Sequence, residues 1–249
     1  MCRAPPRPYR RGMTRETALI TGASRGLGRA LAGELARDGW NLIIDARGGA
    51  ALAAAATELS GLGAGTVAAI AGDVGDAAHR AALARAAAAA GGLDLLVNNA
   101  SVLGTVPLPR LADQPLDDLA EAFRINTLAP LALIQAVLPA LRERRGAVLN
   151  VTSDAAVEGY PTWGGYGSTK AALEQLSNVL AAEEPGIAVW WVDPGEMRTD
   201  MLRDAGEDVS SATPPEDVAA ALRRLVGDRP GSGRLRAADL MPAVDGRTR

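Results

Sequence analysis

Tyr166 and Lys170 stand four residues apart, a spacing that sets both on one face of a helix. A phenol with an ordinary pKa near 10 is a poor base at neutral pH, and a neighbouring ammonium favours the phenolate and lowers that pKa. A shift of roughly three units asks for ~4 kcal/mol, which one close cation in a partly dry site can supply. Composition sharpens the point: of the 26 basic residues only Lys170 is a lysine, and all the others are arginines. A compact ammonium with three donors is a point charge, a role that the flat fork of a guanidinium fits badly. The pair therefore suits proton transfer. The plainer alternative is an ordinary exposed helix pair.

A second constellation lies far upstream. Thr21-Gly22-Ala23-Ser24-Arg25-Gly26-Leu27-Gly28 follows a short apolar run and precedes a helical pattern. Glycines allow a tight turn, close approach of backbone to a pyrophosphate, and close packing of helix on strand. The helix N-terminus then offers N–H groups and partial positive charge to phosphate. Its place between a strand and a helix favours a nucleotide site over a turn that binds nothing.

The elements that must hold these groups alternate along the chain. Apolar runs at Thr17–Thr21, Trp40–Asp45, Thr66–Ala71, Leu93–Asn98, Ala147–Thr152 and Ile187–Val192 read as strands, with a last short one near Arg234–Leu240. Between them lie helical patterns: one up to Gly39, Ala50–Leu59, a run capped by Asp76 and ending at Gly91-Gly92, Leu116–Arg142 divided or bent by its two prolines, Gly165–Glu183, and Pro215–Val226. Strands that alternate with helices pair in parallel and are buried on both faces. The expected architecture is α/β: a single doubly wound Rossmann-type parallel sheet of six to seven strands with helices on both faces, in one domain over residues 13–249.

The spacing Thr-Gly-x3-Gly-x-Gly resembles the short-chain dehydrogenase/reductase family, and the resemblance covers residues 15–240. Asp73-Val74 matches the acid used near the adenine ring. Asn98-Asn99-Ala100 matches the Asn-Asn-Ala-Gly signature, except that Ser101 replaces the glycine, which bears on loop geometry. Asn126, Ser153, Tyr166 and Lys170 match the family's tetrad in order, with Ser153 13 residues before Tyr166 and Asn126 27 before Ser153. Pro194-Gly195 with Thr199 matches the signature after the sixth strand. The resemblance implies that Tyr166 exchanges a proton with the substrate oxygen and Ser153 donates a hydrogen bond to it. It implies that Lys170 holds the nicotinamide ribose and tunes Tyr166, and that Asn126 holds a water linking Lys170 to solvent. The implied coenzyme site takes in Gly22, Ser24, Arg25, Gly26, Leu27, Gly28, Arg47, Asp73, Val74, Asn99, Tyr166, Lys170, Pro194, Gly195 and Thr199. The implied reaction is hydride transfer between a carbonyl and an alcohol. A catalytically silent dinucleotide-binding partner on the same fold is the alternative, since fold alone does not give function.

In the family register, Ala46 stands where an NAD-preferring member carries the acid that grips the ribose 2′-hydroxyl. Arg47 follows, and Arg25 sits in the glycine turn, so NADP is expected over NAD. Asp45 dissents, because one residue of register error would make it that acid. Glu196–Thr213 is expected to form a flexible loop over the substrate, with Met197, Met201, Leu202, Tyr160, Trp163 and Val102-Leu103 as lining.

Composition excludes other classes. Net charge −3 leaves no basic footprint for nucleic acid. One cysteine, Cys2, excludes an intrachain disulfide and a multi-cysteine zinc site, and one histidine, His79, argues against a histidine-based metal site or a serine-histidine triad. His79 is read as an inert surface or satisfied histidine, and Trp190-Trp191 as core. The apolar stretch Leu128 to Leu141 is shorter than the ~20 residues of a membrane span. Residues 1–12, with three prolines and four arginines, read as a disordered arm, and Met13 is a possible start. The C-terminal part lacks the common Val-Asp-Gly-Gly ending, Val244-Asp245-Gly246 coming late. The expected particle is a cytoplasmic homo-oligomer, a dimer through the long helices.

Overall fold

Seven short runs of leucine, isoleucine, valine and alanine become seven strands. A computed structural model of the chain describes residues 15–241. The arm, Met13, Cys2 and Val244-Asp245-Gly246 lie outside the described residues. The strands are β1 (Thr17–Ile20), β2 (Asn41–Ala46), β3 (Val67–Ala71), β4 (Leu95–Asn98), β5 (Ala147–Val151), β6 (Ala188–Asp193) and β7 (Gly233–Arg236). All pair in parallel, in the order β3-β2-β1-β4-β5-β6-β7. The helices are α1 (Gly26–Arg37), α2 (Gly49–Gly61), α3 (Ala77–Ala89), α4 (Leu116–Phe123), α5 (Ala129–Arg144), α6 (Gly164–Glu183), α7 (Asp200–Asp204), α8 (Pro215–Asp228) and α9 (Ala237–Leu240).

Side chains of the strands alternate between two cores, as the strand period requires. Ile20, Ile44, Val97, Leu149 and Trp190 face one, with Leu31 and Leu35 of α1 and Leu222 and Leu225 of α8. Leu19, Ile43, Leu96, Val148 and Val189 face the other, with Leu83 of α3 and Leu133, Val137 and Leu141 of α5. Trp190 and Trp191 are both buried.

Three local expectations are corrected. The last strand stops at Arg236, and Ala237–Leu240 closes as a helical turn. The third strand is an edge, and Ala68, Ala69 and Ala71 on it are exposed rather than covered. The long helix is interrupted by a π-turn, Arg124–Leu128, and not by its prolines. Pro130 follows two residues beyond the π-turn, where its missing N–H removes one bond of the continuing helix. Pro139 stands on an exposed side of the helix, where the carbonyl it orphans meets water. The continuous helix Leu116–Arg144, 29 residues, is long and apolar enough by length and composition to cross a membrane, beyond the shorter run read from sequence. Half of its apolar window is buried, with Leu133, Val137 and Leu141 packed on the sheet.

Strand order reverses between β1 and β4. A crevice opens there at the C-terminal ends of the strands, where ligands of open α/β sheets bind.

Candidate active site

A cavity of about 1070 Å³ fills that crevice. Of the residues singled out from sequence, Gly22, Ser24, Arg25, Gly26, Leu27, Arg47, Asp73, Val74, Asn99, Ser153, Tyr166, Lys170, Pro194, Gly195 and Thr199 line it. Gly28 and Asn126 stand behind its wall. All the apolar candidates for the substrate end also line it.

The glycine turn is held by hydrogen bonds from behind. Thr21 Oγ1 donates to the Val97 carbonyl and accepts from Asn99 N and Ala100 N, both at 3.0 Å. Asn99 Nδ2 donates to the carbonyls of Thr21 (2.8 Å) and Gly22 (3.2 Å). Gly22 and Gly26 adopt φ +67° and +56°, the left-handed region that glycine tolerates best. Gly28 is needed for space: a Cβ there would lie 2.5 Å from Asn99 Nδ2 and 2.6 Å from the Gly22 carbonyl oxygen. No side chain caps α1, and its first turn holds no acid. Its leading N–H groups thus suit a phosphate.

Asp45 also lines the cavity. Its carboxylate is buried, with Oδ1 accepting the Gly22 N–H at 2.8 Å and Oδ2 lying 3.0 Å from His79 Nε2. Burial pushes its pKa up, against the hydrogen bonds from His79 and Gly22. His79 is a satisfied buried histidine, and Gly72 leaves room for it, since a Cβ there would lie 2.2 Å from the ring. Asp45 braces the turn, and the end of β2 offers Ala46 and the exposed Arg47 to the cavity.

Asp73 accepts the Gly75 N–H at 2.7 Å and Arg124 Nη2 at 3.3 Å. Burial opposes, but these partners hold its carboxyl below the ordinary value. Val74 packs against Ile125 of the π-turn. Arg25 is exposed and donates to Asp200 of α7 at 3.0 Å.

At the reacting end, Tyr166 and Lys170 lie on the buried face of α6. Lys170 Nζ donates to the Val151 carbonyl at 2.9 Å and stands 5.5 Å from the centre of the Tyr166 ring. Burial pulls the Lys170 ammonium down to about 7. The Tyr166 phenol is pushed up, chiefly by burial; a hydrogen bond with Ser101 opposes this, and the charges of Asp154 and Asp193 add to it. The expected lowering of the phenol by its lysine is therefore not met in the free protein, because lost hydration outweighs a neighbour that burial itself tends to discharge.

Ser153 ends β5's loop and donates from Oγ to Asp154 Oδ1 at 3.0 Å. Asn126, in the π-turn, accepts Ser101 Oγ (3.1 Å) and Val102 N (2.9 Å) on Oδ1 and donates to the Val102 carbonyl (2.8 Å) and Thr169 Oγ1 (3.0 Å). Its side-chain amide is fully used within the protein. It ties the 101–102 loop to α6.

Sequence reading missed four contributors. Ser101, noted as a departure, reaches both Asn126 and Tyr166. Asp154 adjoins Ser153. Arg234 of β7 donates to the Ser153 carbonyl at 3.3 Å and to Glu174 at 3.0 and 3.1 Å, and Glu174 accepts Thr152 Oγ1 at 2.8 Å. Arg124 covers Gly75 and pairs with Asp73 and Glu121. Only Ser101 carried a signal, its place in the signature. The loop 196–213 is pinned at its neck by Arg198 N on the Thr213 carbonyl (2.9 Å) and Thr213 N on the Glu196 carbonyl (3.1 Å).

A phosphate turn, an acid at the adenine side and a phenol-ammonium pair along one crevice fit a nicotinamide dinucleotide. Known proteins similar to this chain agree. The short chain dehydrogenase family matches residues 16–210. Serine 3-dehydrogenase of Rhizobium radiobacter is 33% identical over 242 residues, 91% of this chain and 93% of that protein. The alcohol dehydrogenase of the archaeon Thermococcus sibiricus, solved with 5-hydroxy-NADP, superposes with a TM-score of 0.81 at 29% identity, covering 94% of this chain and 99% of that one. A short chain dehydrogenase of Shigella flexneri 2a, solved with NADP, gives 0.84 at 27% identity, covering 90% and 97%.

Proposed function

The chain belongs to the short-chain dehydrogenase/reductase family of NAD(P)-dependent oxidoreductases, and on that premise we propose that it interconverts a carbonyl and an alcohol with NADP(H), Tyr166 serving as acid and base. The observation that carries this is the meeting of Ser153, Tyr166 and Lys170 in the same cavity as the glycine turn.

When bound, the coenzyme exchanges a hydride directly with the substrate carbon. Everything else falls to side chains of this chain. The Ser153 hydroxyl donates to the substrate oxygen and steadies charge that develops there. In reduction the Tyr166 phenol gives that oxygen its proton; in oxidation the phenolate takes it. A phenol raised by burial stays protonated at neutral pH, which favours reduction. Lys170 holds the ribose and, when charged, offsets the phenolate. Asn126 and Arg234 keep the 101–102 loop and the Ser153 backbone in place.

The preference for NADP is supported by Asp45, whose carboxylate is committed to Gly22 and His79, and by Arg47 beside Ala46. The two NADP-bound relatives of similar fold add to it. A dimer in the cytoplasm completes the reading. Leu116 on α4, Leu128 in the π-turn and Val179 on α6 are exposed apolar residues on helices that pack side by side.

Tyr166→Phe tests the assignment. Turnover with any accepted carbonyl should fall by about a thousandfold, a general acid's share of the rate, while NADPH binding followed by fluorescence stays within about twofold. Initial rates with the two coenzymes should favour NADPH. Near-normal rates in the variant, or a preference for NADH, would overturn the corresponding part.

A further inference from the structure

We propose that the substrate carries a positively charged amine beside the reacting carbon, and that Asp154 recognises it. This rests on the oxidoreductase reading above and narrows it to a substrate class.

Asp154 follows Ser153 directly and lines the cavity. Its Oδ1 accepts the Ser153 hydroxyl at 3.0 Å and the Ala155 N–H at 2.8 Å, and its Oδ2 accepts the Tyr160 hydroxyl at 3.1 Å. It makes no ion pair among the described residues, whereas three of the five other acids that line the cavity are tied. Asp45 is held by Gly22 and His79, Asp73 by Arg124, and Asp200 by Arg25 and Arg203; Asp193, which does not line the cavity, is held by Arg234 and Gly195. The remaining lining acids, Glu196 and Glu207, stand exposed on the loop and add to the negative character of that wall. Arg198, the arginine of the loop that is free of Asp200, donates to the Ala212 carbonyl.

An uncompensated carboxylate at this spot works against the reaction on a neutral substrate. It takes the hydrogen that Ser153 would offer the substrate oxygen. It also opposes formation of the Tyr166 phenolate by simple charge repulsion. A substrate ammonium resting on Asp154 relieves both. The carboxylate gains the cation it lacks, the Ser153 hydroxyl is released to the substrate oxygen, and Asp154's share of the charge bearing on Tyr166 is neutralised. Reduction then balances in the usual way: the carbonyl carbon gains a hydride from the reduced nicotinamide coenzyme, its oxygen gains the Tyr166 proton, and solvent restores the phenol. The amine itself is unchanged and only positions.

The experiment uses the full chain with NADPH or NADH and a matched set of small ketones near neutral pH: aminoacetone, hydroxyacetone, butanone and acetoacetate. The expected order of kcat/KM is cationic, then neutral, then anionic, with at least about a tenfold step from aminoacetone to butanone. In Asp154→Asn the step should vanish, aminoacetone falling and the neutral ketones rising as Ser153 is freed. Equal rates across the set in the unaltered protein, or an equal loss for all ketones in Asp154→Asn, would overturn the proposal alone. The unaltered protein suffices for the first of these should the variant not fold. Coenzyme binding without oxidation by any carbonyl, these and a wider panel included, would sink the oxidoreductase reading and this inference with it.

Discussion

The two ends of the cavity are built by different means. The coenzyme end is made of backbone fixed from behind by buried polar groups: Thr21, Asp45 and Asn99 all bond main-chain atoms of the turn or of the strand beside it. The substrate end is made of side chains on the 196–213 loop, whose bonds are short-range turns, a two-bond neck and surface ion pairs. A phosphate is the same in every dinucleotide, so its cradle can be rigid. A substrate wall has to differ from relative to relative, and a loop outside the sheet can change without disturbing the core.

Glycine substitutions give the widest separation between the two ends. Gly28→Ala forces a methyl against the Gly22 carbonyl at 2.6 Å, and neither that backbone nor the buried Asn99 can give way cheaply. Coenzyme affinity, read by calorimetry, should fall about a hundredfold, in line with an overpacking cost of ~1–3 kcal/mol placed on the binding turn itself. A methyl added at Gly206, which sits at φ +85° on the substrate loop, would meet nothing within 4 Å. Its alanine variant carries only backbone strain of ~1 kcal/mol, and coenzyme affinity should stay within about twofold. Similar losses at both positions would erase the distinction.

Lys170 shows that the reacting end, between the other two, is kept at a cost to stability. Its pKa falls from 10.5 in the open chain to about 7 when folded. The unfolded chain therefore binds more protons between those values, so the fold gains stability as pH rises from about 7 toward 10.5 and carries the penalty in full below 7. Lys170→Met removes that penalty and loses one hydrogen bond to Val151. The variant should be inactive yet melt about 3–6 °C above the parent at pH 6, and the gap should close as pH approaches 10. A gap that widens with pH would contradict the burial argument.

The same division governs what could be read from sequence. Gly22, Gly26 and Gly28 were legible because left-handed backbone and close packing admit few other residues. The strands were legible because each face of the sheet needs its own core, which forces the apolar runs. The brace that Asp45 forms was not, since it depends on His79, 34 residues away in sequence. The π-turn at Arg124–Leu128 was not legible either: Ile125, Asn126 and Thr127 are weak helix formers, but the prolines nearby drew the break to themselves. Arg234 and Glu174 meet only in the folded chain, from elements 60 residues apart in sequence.

The smallest effect tests the link between the two ends. Among the described residues, Arg25–Asp200 is the one ion pair that joins the glycine turn to the substrate loop. Its side chains are 70% and 52% exposed, so the pair contributes under about 1 kcal/mol and salt screens it. If Arg25 serves a 2′-phosphate, Asp200 competes for it. Asp200→Asn should then tighten NADPH by about two- to threefold in dilute buffer, leave NADH unchanged, and lose its effect near 0.5 M salt. A gain shared by both coenzymes would mean that Asp200 acts on the shape of the loop and not on the phosphate. A loss of affinity would mean that the pair holds the loop closed over the coenzyme, making the two ends one device.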